Sequence, residues 1–119
     1  MADAGDFYCD EILTEKTPVE IVRETMNVLA FKHTQPYWET HIVVIPKVHV
    51  ESLSRAGLEH GDLLKEMMTV SAAICRQLEL QFGGCRLSTN VGDYQTTKHL
   101  HFYIHCGRRL RNEDGSAVE

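Results

Sequence analysis

The stretch His99-Leu-His-Phe-Tyr-Ile-His105 decides the fold and points to the chemistry. It reads as a β-strand, and a strand sends successive side chains to opposite faces. His99, His101, Tyr103 and His105 then share one face, and Leu100, Phe102 and Ile104 share the other. The apolar set can anchor in a core while four polar rings line up outside it. Crowded imidazoles can bind an anion, ligate a metal, or act as nucleophile and acid/base near neutral pH. The bland alternative is a strand face that is simply polar and exposed.

Working outward, Thr40-His-Ile-Val-Val-Ile-Pro46 is rich in β-branched residues and predicts a central strand, with His41 near its start and His49 just beyond its end. Val19 to Glu24 and Asn27 to His33 predict two more strands, close enough for a hairpin. Gln35 to Glu39 reads as a loop, with Tyr37 and Trp38 suited either to covering a nucleobase or to packing. Leu64, Met67, Ser71, Ile74, Leu78 and Phe82 recur at three- and four-residue steps. They predict one long helix from about His60 or Asp62 to Phe82, stopped by Gly83-Gly84. Ser52 to Ala56 predicts a short helix closed by Gly57, and Asp10 to Thr14 a helical turn. Cys85 to Val91 predicts a fourth strand before the turn-like Gly92-Asp-Tyr-Gln-Thr-Thr97. The pattern is an α+β domain with a mainly antiparallel sheet.

With 119 residues the chain should form one domain spanning 1–119, with a core of about 7–109 and a flexible tail over 110–119. A net charge of −5 argues against a nucleic-acid polymer as partner, since that needs a basic face. No apolar run is long enough for a bilayer, so no membrane association is expected. The acidic start, Met1 to Asp6, lacks the basic and apolar regions of a signal peptide. Cys9, Cys75, Cys85 and Cys106 form no CxxC pair, which suits free thiols in the cytoplasm.

Asn90-Val-Gly-Asp-Tyr-Gln-Thr-Thr-Lys98 adds amides, hydroxyls and one cation that could wrap an anion. With the two histidine-bearing segments it suggests a phosphate site. No Walker loop or GxGxxG is present. A metal held by His99, His101 and His105 is a further reading, but one flat strand gives poor tetrahedral geometry.

Together these segments resemble the histidine triad (HIT) superfamily, whose last core strand carries His-φ-His-φ-His-φ-φ. Ala30-Phe-Lys-His-Thr-Gln-Pro36, Thr40 to His49, Asn90-Val-Gly92, Gln95 to His99 and Gly107-Arg108 fall in family order. The layout is most similar to the branch of small nucleoside-phosphoramidate hydrolases. The resemblance implies a five-stranded sheet with one long and one short helix. It also implies a homodimer paired through the long helix and the strand near Gly84 to Arg86, and hydrolysis or transfer at the α-phosphate of a purine nucleotide. Substrates would be nucleoside phosphoramidates or dinucleoside polyphosphates.

By the same resemblance His101 attacks phosphorus to form a nucleotidyl-histidine, His99 supports the pocket and His41 faces the triad. Asn90, Gln95 and Thr96 meet phosphate or leaving group. Tyr103 replaces the third histidine; its main-chain carbonyl would orient the His101 ring and its phenol would reach a phosphate oxygen. His33 stands where a ribose-binding aspartate is usual. These two departures leave a catalytically weak or inactive nucleotide-binding relative as the alternative. Some relatives carry a structural zinc at a Cys-x-x-Cys; the matching Asp6-Phe-Tyr-Cys9 holds one cysteine, so no metal or other cofactor is expected, and Cys9 reads as a plain thiol. His105 lies outside the family pattern and reads as an exposed strand residue, and His60 as a solvated one.

Overall fold

Alternation of side chains across one sheet organises the molecule. The computed structural model describes residues 8–118. The expectations on Met1 to Asp6 and on Phe7 lie outside these. Five strands, β1 (Ile21–Glu24), β2 (Val28–Lys32), β3 (Trp38–Pro46), β4 (Arg86–Ser88) and β5 (Phe102–Arg109), pair antiparallel in the order β1-β2-β3-β5-β4. Two helices, α1 (Leu53–Glu59) and α2 (Gly61–Phe82), lie between β3 and β4 in sequence. Among the described residues, no helix is long and apolar enough to cross a membrane.

Val28, Ala30, Ile42, Val44, Phe102 and Ile104 face α2 and pack with Met67, Val70, Ile74 and Leu78. Their neighbours Leu29, Phe31, Val43 and Ile45 face the other way, under Tyr8 and Ile12 of a single wide helical turn (Tyr8–Ile12). His41 and Tyr103 belong to this second face, because His41 is two residues from Val43 and Val43 lies opposite Tyr103. His41 in turn lies opposite His105. The site is therefore built on the side of the sheet that α2 leaves uncovered.

The boundaries differ from expectation for local reasons. Trp38 and Glu39, read as loop, open β3, because Trp38 pairs with Arg109. α1 runs through Gly57, and the chain breaks instead at His60 (φ −135°, ψ 50°), which is half-buried rather than solvated and whose N–H reaches the Ala56 carbonyl. α2 stops as expected at Gly83, where φ of +91° suits glycine and the N–H closes on the Glu79 carbonyl. The buried stripe ends at Leu78, leaving Leu80 and Phe82 exposed.

β4 is only three residues long because its partner β5 begins at Phe102. Ser88 meets Tyr103, and one step further Thr89 caps the His101 carbonyl with its hydroxyl at 2.6 Å. Beyond β5, where the sequence predicts a loose tail, the chain forms a hairpin. Arg111 bridges Ala117, and Asn112 donates its N–H to Ser116. The Arg111 side chain ties that hairpin to the Pro36 and Gly115 carbonyls.

Candidate functional site

A cleft of about 610 Å³ lies on the uncovered sheet face. β2, β3 and their connection supply Phe31, His33, Tyr37, Trp38, His41 and Val43; β5 supplies Tyr103, His105 and Arg109. Ser88, Asn90, Tyr94 and Thr96 close the far side, and Tyr8 and Glu113 the ends. Of the residues singled out from sequence, His33, His41, Asn90, Thr96 and Tyr103 line this cleft. His105 lines it too, stacked on Trp38 at 4.4 Å, so it is not a bare surface residue.

Gln95 does not line the cleft. Its amide donates to the Glu51 and Thr97 carbonyls and accepts from the Gly92 N–H, so it fastens the loop instead of facing a ligand. Lys98 likewise closes the loop on the Gly92 carbonyl. The loop turns tightly at Gly92–Tyr94, and its main-chain groups recruit these long polar side chains first.

His99 and His101 stand behind the wall of the cleft. They precede β5, and at 0% and 2% exposure they are core residues, not rings on an open strand face. Tyr8 covers both, with ring centroids 5.8 Å from His99 and 5.2 Å from His101, and it hydrogen-bonds Tyr103. The His101 Nδ1 lies 2.7 Å from the His99 carbonyl. A carbonyl only accepts, so Nδ1 carries the hydrogen and Nε2 of the neutral ring keeps its lone pair. The orienting carbonyl is thus that of His99, not of Tyr103 as the resemblance implied. Burial depresses the His101 pKa, partly opposed by this hydrogen bond, so the ring is neutral at pH 7. Burial raises the Tyr103 phenol, opposed by Tyr8, and leaves it a neutral donor.

His41 and His33 stack at 4.4 Å with planes 24° apart. The Tyr37 N–H donates to His41 Nδ1 and the Gln35 N–H to His33 Nδ1, each at 3.0 Å. Burial lowers His33 to about 4, helped by His101 and Arg111, and lowers His41 to about 3, helped by His33 and His105. The cleft is therefore lined by neutral imidazoles, with Arg109 as the cation at its edge.

Cys9, His49 and His99 bring one ligand atom each within 4.8 Å of one another. His99 Nε2 donates to the Pro46 carbonyl at 3.0 Å, which turns the Nδ1 lone pair toward Cys9 Sγ, 3.4 Å away. One thiol and two imidazoles, one of them held by a carbonyl, suit zinc. The sequence reading of this site looked for a second cysteine in the same segment; the structure brings His49 and His99, far away in the chain, beside Cys9. The proposed triad of His99, His101 and His105 is not brought together: His105 stacks on Trp38 instead.

Comparison with known proteins agrees with this architecture. The family model for the HIT domain matches residues 14–110. A purine nucleoside phosphoramidase of Escherichia coli is 31% identical over 109 residues, covering 90% of this chain and 92% of its own. An uncharacterized HIT-like protein of Rickettsia prowazekii is 36% identical over 106 residues, covering 84% and 86%. Among solved structures, a histidine triad protein from Clostridium difficile superposes with a TM-score of 0.76 at 31% identity, covering 94% of this chain and 98% of that one. A HIT family hydrolase from Clostridium thermocellum gives 0.76 at 25% identity, covering 93% and 97%.

Proposed function

The chain belongs to the HIT domain family, and from that premise we propose that it is a nucleotide hydrolase or transferase that works through a covalent nucleotidyl-histidine on His101. The observation that carries this reading is the pinned tautomer: Nδ1–H on the His99 carbonyl, neutral ring, Nε2 lone pair available. A neutral nitrogen nucleophile needs no general base. Its lone pair forms the phosphorus–Nε2 bond while the bond to the leaving nitrogen or oxygen breaks. The leaving group departs with the electron pair and takes its proton from solvent, and the proton that the second step's water loses on attacking phosphorus returns to solvent. Water then displaces Nε2 and restores the histidine. Asn90, Thr96 and the Tyr103 phenol supply neutral donors to the phosphoryl oxygens. Purine nucleoside phosphoramidates suit this chemistry, as the E. coli relative's name indicates for that protein.

Tyr8 must shift for a phosphate to reach His101, given its 2% exposure. Cys9, His49 and His99 would supply three of the four ligands a structural zinc uses, and a metal there would fasten the turn that carries Tyr8 to the sheet. The exposed Leu80 and Phe82 on α2 and Leu87 on the edge strand β4 support a homodimer through that side. Cys9, Cys75, Cys85 and Cys106 form no disulfide among the described residues, which supports the cytoplasm as its location.

The test is hydrolysis of adenosine 5′-phosphoramidate by wild type and His101→Ala, with AMP release followed chromatographically. Turnover that vanishes in the variant is the expected result. AMP binding without turnover would support the second reading, a nonhydrolytic binder, which the cover over His101 favours.

A further inference from the structure

We infer that Cys75 and Cys85 form a thiol pair that a hydroperoxide converts reversibly to a disulfide, a modification site on the α2 side of the sheet, opposite the cleft. It is independent of the nucleotide reading above.

Ten residues separate the two cysteines, and the turn at Gly83-Gly84 folds β4 back along the end of α2. Both side chains are half-buried and pack on the core that α2 shares with the sheet. The Cys85 Sγ lies 4.0 Å from the Cys75 carbonyl, and the two thiols lie within hydrogen-bonding reach of each other. A disulfide needs that closeness in the folded chain, since cysteines held apart cannot be bridged without backbone movement.

The two thiols are not equivalent. Cys85 opens onto a second cavity of about 430 Å³, which Gly84, Arg86 and Cys106 also line. Cys75 does not line that cavity. Burial, and then the neighbouring Cys85 thiol, push its pKa up to about 11, so it stays protonated near neutral pH. A peroxide therefore meets Cys85 first. Its thiolate attacks one peroxide oxygen, the O–O bond breaks, and an alcohol or water leaves with the other oxygen. Cys85 becomes a sulfenic acid. This product is neutral, so the part of the Cys75 shift that comes from Cys85 is relieved. The Cys75 sulfur then attacks the Cys85 sulfur, the S–OH bond breaks, and the hydroxide leaves as water with the Cys75 proton. The two thiols are oxidised together and the peroxide is reduced. Thiol exchange with a small dithiol reverses the bond.

Cys106 is the competing partner. The β4–β5 register pairs Arg86 with His105, and one step further it sets Cys85 opposite Cys106. The Cys85 thiol is turned to the Cys75 carbonyl, which favours the bond to the helix.

Reduced wild type treated with hydrogen peroxide, alkylated and mapped by peptide mass spectrometry without reduction tests the inference. A linked peptide joining Cys75 to Cys85, lost on dithiothreitol treatment, is the expected result. In Cys75→Ser the sulfenic acid on Cys85 should persist and be trapped by dimedone. The wild-type map decides even if that variant does not fold. A Cys85–Cys106 bridge, a bridge between two copies of the chain, sulfinic acid on Cys85 beside a reduced Cys75, or unreacted thiols would each overturn the inference.

Discussion

Acidifying the protein from about pH 8 to pH 5 should cost stability in an amount set by His41. Its folded-state pKa is pushed down to about 3, first by burial and then by the neighbouring His33 and His105 rings. In the unfolded chain the same ring titrates near its ordinary value of 6.5. The unfolded state thus binds more protons as pH falls below about 6.5, and stability drops with it until the folded value is reached near 3. At pH 5 the medium is about 1.5 units below the unfolded pKa, and at 1.36 kcal/mol per unit the loss is about 2 kcal/mol. That figure requires only that the native ring stay neutral at pH 5. His33, lowered to about 4, is also neutral in the native protein at pH 5 and adds a comparable amount, and the depressed His101 adds to the same trend. Against a total stability of about 5–15 kcal/mol the effect is large.

The assay is urea unfolding at pH 8 and pH 5, at fixed protein concentration, for wild type and His41→Asn. Asparagine keeps an oxygen to accept the Tyr37 N–H but cannot titrate. The variant starts less stable at pH 8, and only the pH-dependent difference is compared. It should lose about 2 kcal/mol less than wild type on acidification. A variant that loses as much as wild type would show that His41 ionises freely in the native protein, and the account of the cleft as a neutral-donor surface would fail.

Three further outcomes follow from local geometry. Gly107→Ala should lower stability by about 2 kcal/mol and Tm by roughly 5–10 °C in a calorimetric scan. Its φ is +87°, and a Cβ there would sit 2.9 Å from the Glu39 carboxylate oxygen that holds the Arg108 N–H. Zinc added to metal-stripped protein should raise the Tm of wild type but not of Cys9→Ala or His49→Ala, since each variant removes one of three converging donors; equal shifts in all three would place the metal elsewhere. Tyr8→Ala should speed modification of His101 by diethyl pyrocarbonate, followed by peptide mass mapping, because Tyr8 covers that ring. An unchanged rate would mean that Tyr8 does not limit access.

How much of this could be read from the sequence depends on the range of the cause. Alternation along Leu29 to Phe31, Ile42 to Ile45 and Phe102 to Ile104 is a local property. It gave the antiparallel sheet, the two faces and the single helix whose stripe runs from Met67 to Leu78. The histidine spacing also put His41 and Tyr103 on one face, and they do share the uncovered face of the sheet. Exposure and partnership escaped, because each depends on a contact across the chain. Nothing in His99-Leu-His101 says that Tyr8, some ninety positions earlier, will cover both rings and move them from the wall of the cleft to behind it. Cys9, His49 and His99 converge from three segments, and a search for paired cysteines in one segment could not find them. Gln95 was misread because residue type alone does not tell a ligand-facing amide from one that fastens its own loop.

The same limit governs the chemistry. A row of histidines suggests positive charge near neutral pH, and an anion site built on it would be strongest in acid. The packing works against such charge. Main-chain groups fix the tautomers of His33, His41 and His101, and burial keeps all three neutral. A neutral His101 is the form that can attack phosphorus, and neutral His33 and His41 are the forms that can donate without charge. Desolvation of imidazoles concentrated by the sequence pattern is thus one physical origin for both the expected acid sensitivity of the fold and the reactivity we propose for His101.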